Sequence, residues 1–187
     1  MNFYSHDIIN NIIDKEHIDK ILDEIESFKN IYKYLIHSYS IRDIHFKYIE
    51  FLLNNQKVKI VFYCMDNEFD IFNCPSIMIY QNHYNKTINE LNYYILLICT
   101  KYKYRNQGYG SRLLDGFIEN IKEKNKETKY NKIKIILSST EEAVLFYEAY
   151  GFKWTRSSLS DYPFLMKYEK YLEEKEYFIM ELQINII

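Results

Sequence analysis

The sequence predicts a mixed α/β fold, and three observations along its 187 residues support this class. Apolar residues recur at helical spacing in the amino-terminal part, and they alternate as in a strand from Val58 to Phe62. Two further apolar runs, Ser76 to Tyr80 and Leu91 to Thr100, have strand character, and the second leads directly into the glycines of Arg105 to Ser111. Because no linker or repeat divides the chain, we expect one domain over residues 1–187.

The predicted elements are helices in the amino-terminal part, followed by strands and further helices. The run from Leu91 to Thr100 is apolar on both faces, which is typical of a strand in the middle of a sheet. Ser139 and Glu142 have the spacing of a helix capping box, and Gly151 is placed to end that helix in a left-handed conformation. The predicted order is helices over 14–28 and 41–53, strands over 58–62, 76–80 and 91–100, a helix from Leu113 to Ile121, a strand over 132–137, a helix over 141–150 and a strand over 177–184.

Composition argues against several classes of function. A formal net charge of −2 does not suit a protein that neutralises many nucleic-acid phosphates, and no apolar run approaches the ~20 residues that span a bilayer. We therefore expect neither a nucleic-acid partner nor a membrane partner. The start of the sequence lacks the pattern of a signal peptide, so a cytoplasmic or nuclear location is expected. Cys64, Cys74 and Cys99 form no disulfide framework or zinc-ligand pattern, so we expect reduced thiols and no metal.

The segment from Arg105 to Ser111 is the strongest candidate for a binding site. It lies between a buried strand and an amphipathic helix, so its backbone N–H groups should converge at a helix amino terminus and bind a phosphate. Gly108 and Gly110 let the backbone approach the anion without a Cβ. Leu113 stands where a dinucleotide fingerprint has its third glycine, and the Gly-Lys-Ser/Thr of a P-loop is missing. Both features argue against NAD and ATP.

Together with a second segment, this one resembles the GNAT superfamily of N-acetyltransferases. Arg105-Asn106-Gln107-Gly108-Tyr109-Gly110 is similar to the R/Q-x-x-G-x-G/A acetyl-CoA signature, and Ala143 to Phe152 is similar to the second motif of that family. The resemblance covers about Leu91 to Phe152. It implies the GNAT fold, in which a mostly antiparallel mixed sheet splays between two parallel strands and is flanked by helices. It also implies acetyl-CoA as the cofactor and donor.

The same resemblance implies roles for particular residues around the cofactor. Backbone amides of Asn106, Gln107, Gly108, Tyr109, Gly110 and Ser111 would bind the pyrophosphate, and Arg105 would add positive charge. Main-chain groups of Ile98, Cys99 and Thr100 would lie against the pantetheine arm. Tyr147 matches the tyrosine that protonates the departing thiolate in many relatives, although packing along an apolar helix face would also explain it.

The general base is less clearly marked. Some relatives have a glutamate in the strand before the signature, and the matching position here is Tyr94. Glu90 has the same strand parity but lies about 13 Å further along a strand. His83 has a suitable intrinsic pKa, yet it stands in a polar stretch that predicts a solvated loop. Glu90 and Tyr94 are therefore the weaker catalytic candidates beside Tyr147.

The expected activity is direct transfer of an acetyl group from acetyl-CoA to a primary amine of a peptide, a protein or a small molecule. The aromatic segments 30–43 and 156–175 would flank the acceptor. One alternative is a catalytically inactive CoA-binding GNAT-fold module that acts through protein partners, motivated by Tyr94 at the usual glutamate position. Another is a regulatory domain that binds a nucleotide. The acceptor and the oligomeric state do not follow from these residues.

Overall fold

A computed structural model describes residues 12–13, 51–52, 55, 57–65, 73–168 and 176–185. The helices expected over 14–28 and 41–53 lie outside these residues except for 51–52, and so do the segment 30–43 and residues 169–175 of the segment 156–175. The chain divides into two compact units, unit 1 with residues 1–79 and 97–121 and unit 2 with residues 80–96 and 122–187. The single domain over 1–187 stays a prediction.

The described strands form one sheet in which hydrogen-bonded neighbours follow the order β1-β2-β3-β4-β5-β7-β6. In the described part of the chain, the helices given below and short 3-10 helices at Tyr102–Tyr104 and Leu159–Asp161 lie between these strands. The strands are β1 Ile12–Ile13, β2 Lys59–Tyr63, β3 Ser76–Asn85, β4 Glu90–Thr100, β5 Lys132–Thr140, β6 Lys153–Trp154 and β7 Tyr177–Ile184, and the helices are α1 Tyr109–Lys124, α2 Glu141–Ala149 and α3 Pro163–Met166.

Unit 1 contains β2, the first residues of β3, the last residues of β4 and most of α1. The apolar side of α1 buries Leu113, Leu114, Phe117 and Ile121, which recur at helical spacing. β2 buries its residues 60–63, and the four residues of β3 in unit 1, 76–79, are also buried. This apolar core fixes the position at which β4 ends and α1 begins.

Unit 2 is organised around β5, which pairs with a strand on each side. Its partner β4 runs parallel, in a register from Glu90↔Lys132 to Ile95↔Leu137. Its other partner, β7, runs antiparallel from Ile133↔Ile184 to Thr140↔Tyr177. Because side chains alternate along each strand, this register decides which residues of the three strands share a face.

Several predicted boundaries are wrong. β3 continues to Asn85, so His83 lies in a strand and not in a loop, although it is exposed. β5 continues to Thr140, which is the N-cap of α2 and makes no side-chain capping bond. Ser139 is consequently still extended, and its hydroxyl donates to the carbonyl of Thr140 at 2.8 Å, so the predicted capping box is absent. Gly151 has a φ of +86°, which confirms the predicted end of α2.

Cys64, Cys74 and Cys99 form no disulfide bond in the structure. Cys64 and Cys74 are both buried in unit 1, with their Sγ atoms 2.7 Å apart. Within the described ranges, no helix has the length and apolar character needed to cross a membrane.

Candidate active site

The segment from Arg105 to Ser111, here named the glycine loop, connects β4 to α1 through the 3-10 helix Tyr102–Tyr104. Two of its residues have a left-handed backbone, Asn106 with a φ of +61° and Gly108 with a φ of +78°. A Cβ at position 108 would meet no heavy atom within 4 Å, so the backbone conformation and not crowding favours glycine there. The glycine loop therefore turns through two left-handed residues, and its proposed binding of a phosphate stays a prediction.

The amino terminus of α1 presents backbone N–H groups at the end of this loop. Hydrogen bonding of the helix begins where the amide of Arg112 donates to the carbonyl of Gly108 at 3.0 Å. The amides of residues 108–111 precede that bond and have no acceptor within the helix. The first turn of α1 contains no acidic residue that would oppose the positive end of the helix dipole. The arrangement therefore suits an anion such as a phosphate.

Gly110 allows the start of α1 to approach the end of β4. A Cβ at position 110 would lie 3.3 Å from Oγ1 of Thr100, which is closer than most side-chain contacts. Thr100 has little freedom to retreat, because its hydroxyl shares a 2.8 Å hydrogen bond with the hydroxyl of Ser76. The next amide, that of Lys101, donates to the carbonyl of Pro75 at 2.8 Å. Packing thus explains glycine at 110.

Two arginines bring positive charge to the glycine loop. Nε of Arg105 donates to the carbonyl of Thr100 at 3.4 Å, and its guanidinium lies 5.6 Å from the ring centroid of Tyr102. The guanidinium of Arg112 lies 5.2 Å from the ring centroid of Tyr109. Both arginines are exposed. Their charges add to the helix dipole and favour an anionic ligand.

The predicted pantetheine-contacting residues Ile98, Cys99 and Thr100 are the last three residues of β4 and are half-buried. Burial raises the pKa of the Cys99 thiol to about 12, against the opposing charge of Arg105. Cys99 is therefore a neutral thiol at pH 7 and a poor nucleophile.

Tyr147 lies on α2 in unit 2 and is buried, with 7% of its surface exposed. Its ring packs edge to face against Phe146 and Phe152, with centroid distances of 5.1 and 5.5 Å. Its carbonyl accepts the amides of Tyr150 and Phe152 at 3.0 and 3.2 Å, which fixes the end of the helix. Tyr147 thus has a packing role, while its role as an acid stays a prediction.

Polar side chains from four segments of unit 2 meet on one face of its sheet. In the β4–β5–β7 register, Tyr94 lies opposite Ile136, and Ile136 lies opposite Glu181. Asn92 lies opposite Lys134 two residues earlier on both strands, and therefore on the same face. We name this group the carboxylate cluster, and its members are Glu90, Asn92, Tyr94, Lys134, Tyr162 and Glu181.

Lys134 lies between the two glutamates of the carboxylate cluster. Its Nζ is 3.5 Å from Oε2 of Glu90 and 3.3 Å from Oε2 of Glu181. Burial opposes the charge of Lys134, but the carboxylates of Glu181 and Glu90 outweigh it and raise the pKa of Lys134. Lys134 is therefore protonated at neutral pH, and the cluster contains two carboxylates and one ammonium group.

The two phenols of the cluster are hydrogen-bond donors at neutral pH. The pKa of Tyr94 is raised to about 12 by burial and by the nearby charge of Glu90. Burial also raises the pKa of Tyr162, whose hydroxyl donates to Oε1 of Glu181 at 2.9 Å. Tyr94 is thus a neutral donor at neutral pH, and its assignment as a catalytic residue stays a prediction.

Aromatic rings border the cluster. Phe164 stacks on Tyr94 and on His83, with centroid distances of 4.8 and 4.7 Å. Phe164 belongs to α3, a single turn that starts at Pro163 and was not predicted. His83, considered above as a base, is therefore a strand residue that packs on a ring.

The structure brings together Glu90 and Tyr94, which were predicted, with Lys134, Tyr162 and Glu181, which were missed. The alternation of polar and apolar residues in β5 and β7 was a usable signal for Lys134 and Glu181, since a charged residue on a core strand requires a partner. That alternation does not show in which register the strands pair. Tyr162 follows a 3-10 helix and had no distinguishing pattern.

The mixed sheet and the glycine loop between β4 and α1 define the chain as a mixed α/β protein with a candidate anion-binding turn. Residues 59–154, just over half of the chain, match the family described as acetyltransferase (GNAT) domain, and the chain belongs to this family. The resemblance inferred from the two motifs is confirmed. Comparison with curated proteins gives no match.

Solved structures show the same fold at low sequence identity. GCN5 from Tetrahymena superimposes with a TM-score of 0.58 at 15% identity, covering 88% of this chain and 93% of that chain. The ribosomal-protein-S18-alanine N-acetyltransferase of Escherichia coli gives 0.54 at 15% identity, covering 87% and 92%. Naa50 of Arabidopsis thaliana, in complex with the bisubstrate analogue CoA-Ac-MVNAL, gives 0.52 at 19% identity, covering 83% and 93%. The predicted GNAT fold, a mixed sheet flanked by helices, is confirmed.

Proposed function

We propose that this protein is an N-acetyltransferase that moves an acetyl group from acetyl-CoA directly to a primary amine. The observation that supports this most is the glycine loop at the amino terminus of α1, where left-handed residues 106 and 108 precede helix amides that have no acceptor within the helix. Membership of the GNAT family supports the reaction class. The complex of the structural neighbour Naa50 with a CoA–peptide analogue supports the donor and an amine acceptor.

The glycine loop fits the anionic part of CoA. A pyrophosphate would accept hydrogen bonds from the backbone amides between Asn106 and Ser111, and the positive end of α1 would stabilise its charge. A Cβ at position 110 would lie 3.3 Å from Oγ1 of Thr100, a tight contact, so glycine there lets the loop backbone lie near the strand end. Arg105 adds a cation beside the loop. When bound, the cofactor supplies the acetyl group as a thioester.

Tyr147 is the proposed general acid. A buried phenol can hold its proton until a thiolate departs, and free solution opposes that transfer by only roughly 2 kcal/mol, given pKa values near 10 and 8.5. The ring contacts with Phe146 and Phe152 restrict the orientation of this phenol. A fixed orientation reduces the entropy that the proton transfer would otherwise cost.

The acceptor must lose a proton before it can attack. Deprotonation at pH 7 costs about 4.6 kcal/mol for an ε-amine with pKa near 10.4, and about 1.1 kcal/mol for an α-amine near 7.8. Tyr94 does not supply a base at neutral pH, because its pKa is raised to about 12. Glu90 remains the predicted base, and an acceptor of low pKa would depend on it least.

Direct transfer is favoured over an acyl-enzyme route through Cys99. The pKa of about 12 leaves almost no thiolate at neutral pH, and a thiol at that position would be a slow nucleophile. The proposed reaction therefore needs the amine, the thioester and a proton donor, but no covalent protein intermediate.

The experiment combines two measurements on the full chain. Isothermal titration with acetyl-CoA and with ATP tests the ligand, and thiol release with peptide, polyamine, amino-sugar and arylamine acceptors tests the reaction. We expect binding of acetyl-CoA, no binding of ATP, and thiol release with at least one amine. Tyr147→Phe should lower the rate of thiol release at least about tenfold with unchanged acetyl-CoA affinity.

Each other outcome has a defined meaning. CoA binding without thiol release for any acceptor would select the inactive CoA-binding module that acts through partners. ATP binding without CoA binding would contradict the assignment of the glycine loop. Leu145→Ala provides a control on α2, because Leu145 is 78% exposed and its truncation should leave the rate unchanged.

A further inference from the structure

Cys64 and Cys74 form a pair of neighbouring thiols in unit 1, here named the thiol pair. Their Sγ atoms lie 2.7 Å apart, and the two side chains are 8% and 0% exposed. Because the two sulfurs are in direct contact, a bond between them requires only a small movement of the side chains. The proposed acetyl transfer makes no use of either thiol.

The backbone around the thiol pair also suits a disulfide. Cys64 directly follows β2, Cys74 lies two residues before β3, and these two strands are hydrogen-bonded neighbours in the sheet. Neighbouring strands lie about 4.8 Å apart, and the Cα atoms of a disulfide are usually about 4.4 to 6.8 Å apart. The strand spacing therefore matches the spacing that a disulfide requires.

The two sulfurs of the thiol pair differ in their access to an oxidant. Cys64 retains some exposed surface and precedes the exposed Met65, whereas Cys74 is fully buried. A small oxidant such as hydrogen peroxide can therefore reach Cys64 more easily than Cys74. Burial raises the pKa of the Cys99 thiol to about 12, so Cys99 has almost no reactive thiolate at neutral pH. Cys64 is thus the expected first site of oxidation.

Residues on both sides of Cys64 contact the glycine loop. The ring of Tyr63 packs against the ring of Tyr109 with a centroid distance of 5.5 Å. The hydroxyl of Tyr109 donates to Sδ of Met65 at 3.7 Å. Tyr109 is the first residue of α1, so the residues beside Cys64 support the helix terminus at the end of the glycine loop.

The residues after Cys74 hold the strand end that precedes the glycine loop. The carbonyl of Pro75 accepts the amide of Lys101 at 2.8 Å. The hydroxyls of Ser76 and Thr100 share a 2.8 Å hydrogen bond. These contacts fix the end of β4, from which the chain continues into the loop. A covalent bond within the thiol pair would consequently join the supports of both ends of the glycine loop.

We propose that the thiol pair is a redox-sensitive modification site whose oxidation to a disulfide fixes the glycine loop. Hydrogen peroxide oxidises the thiolate of Cys64 to a sulfenic acid and releases water. The thiol of Cys74 then attacks the sulfenic sulfur, the S–O bond breaks, the S–S bond forms and a second water leaves. The two thiols together lose two electrons and two protons, and the peroxide takes up both.

The consequence for the cofactor rests on the proposed function. A loop whose two ends are covalently joined has less conformational freedom to lose when a ligand binds. The oxidised protein should therefore bind acetyl-CoA more tightly than the reduced protein.

Intact-mass spectrometry of the full chain, before and after treatment with hydrogen peroxide, tests the bond. We expect the loss of two hydrogen atoms, reversed by dithiothreitol, and a proteolytic fragment that links Cys64 to Cys74. Cys99→Ala is the matched control and should show the same loss. Cys74→Ala should stop at the sulfenic acid and form a dimedone adduct at Cys64. Cys64→Ala should form neither the disulfide nor an adduct at Cys74.

Backbone amide chemical shifts in NMR test the link to the glycine loop without the cofactor. Oxidation should shift the amide signals of Gly108, Tyr109 and Gly110 in the wild type and leave them unchanged in Cys64→Ala. Isothermal titration should give an acetyl-CoA affinity at least about threefold higher for the oxidised than for the reduced wild type. Peroxide should leave the affinity of Cys64→Ala unchanged.

The outcomes separate this proposal from the proposed function. Absence of the disulfide in peroxide-treated wild type would overturn the proposal. A disulfide that leaves the amide shifts of the glycine loop unchanged, or that fails to raise a measurable acetyl-CoA affinity, would also overturn it. Oxidation-dependent amide shifts in a protein that binds no acetyl-CoA in either redox state would overturn the proposed function alone.

Discussion

The glycine loop and the carboxylate cluster are two polar regions built in different ways. The glycine loop takes its character from the backbone of one continuous segment, with left-handed φ values at Asn106 and Gly108 and helix amides at its end. The carboxylate cluster takes its character from side chains of four segments, and strand register brings Glu90 and Glu181 to the same lysine. Changes of backbone conformation should therefore disable the first region, and changes of charge the second.

The largest expected effect is that of Gly108→Val on the glycine loop. A β-branched residue is strained at a φ of +78°, so the loop would change conformation and its amides would lose their common direction. We expect the affinity for acetyl-CoA to fall at least about 100-fold, which corresponds to ~2.7 kcal/mol. Isothermal titration with acetyl-CoA measures this directly.

Gly151→Val is the matched control for backbone strain. Gly151 has a φ of +86°, and a Cβ there would lie 3.7 Å from Cδ1 of Leu182, which is an ordinary contact. The variant should lower thermal stability by an amount similar to Gly108→Val but should retain acetyl-CoA affinity. An equal loss of affinity in both variants would show that Gly108 acts through folding and not through the ligand.

The second expected effect is the loss of stability in Lys134→Met, which tests the charge balance of the cluster. Removing a half-buried lysine leaves Glu90 and Glu181 without their shared cation, and we expect the free energy of unfolding at pH 7 to fall by about 1 to 3 kcal/mol. Urea unfolding measures this change. Lys126→Met is the control, because Lys126 pairs with Glu123 at an exposed position and should contribute less than about 0.5 kcal/mol.

The pH dependence of that difference has a defined sign. The pKa of Lys134 is raised in the folded protein above its ordinary value of 10.5. Its contribution is therefore complete below pH 10.5 and is lost as the pH rises through the higher, folded-state pKa. A difference between wild type and Lys134→Met that grows above this pH would contradict the ion-pair explanation.

The sequence predicted more of the glycine loop than of the carboxylate cluster. The glycine loop could be predicted because its chemistry depends on local order: a strand, two glycines and a helix follow one another directly between Leu91 and Ile121. Lys134 and Glu181 were missed because their partnership depends on the register of β5 with β4 and β7, which a long-range pairing sets. The same limit explains the predicted capping box at Ser139, since the alternation did not show that β5 continues to Thr140.

The third expected effect is that of Tyr94→Phe on stability in alkali. Burial and Glu90 raise the pKa of Tyr94 from 10.0 to about 12, so the folded state retains a proton that the unfolded state loses above pH 10. Stability should consequently fall as the pH rises from 10 to 12, by about 1 kcal/mol at pH 11 for this residue. Between pH 9 and pH 11, the free energy of unfolding in urea should therefore fall by about 1 kcal/mol less in Tyr94→Phe than in the wild type. Tyr102→Phe, at a 73% exposed position, should follow the wild-type curve.

The smallest expected effect is that of Asn106→Gly. This variant tests whether the glycine loop depends on its backbone alone, because it removes a side chain and keeps the backbone conformation. Asn106 has a φ of +61°, and glycine adopts this conformation without strain, although it has more freedom to lose on folding. The relief of backbone strain and the greater loss of conformational freedom offset each other. The free energy of unfolding should therefore change by less than about 1 kcal/mol. If the loop binds through amides, acetyl-CoA affinity should stay within about twofold, since a twofold change is ~0.4 kcal/mol. A tenfold loss in Asn106→Gly would mean that the Asn106 side chain contributes to binding, and the glycine loop would then resemble the carboxylate cluster in its dependence on side chains.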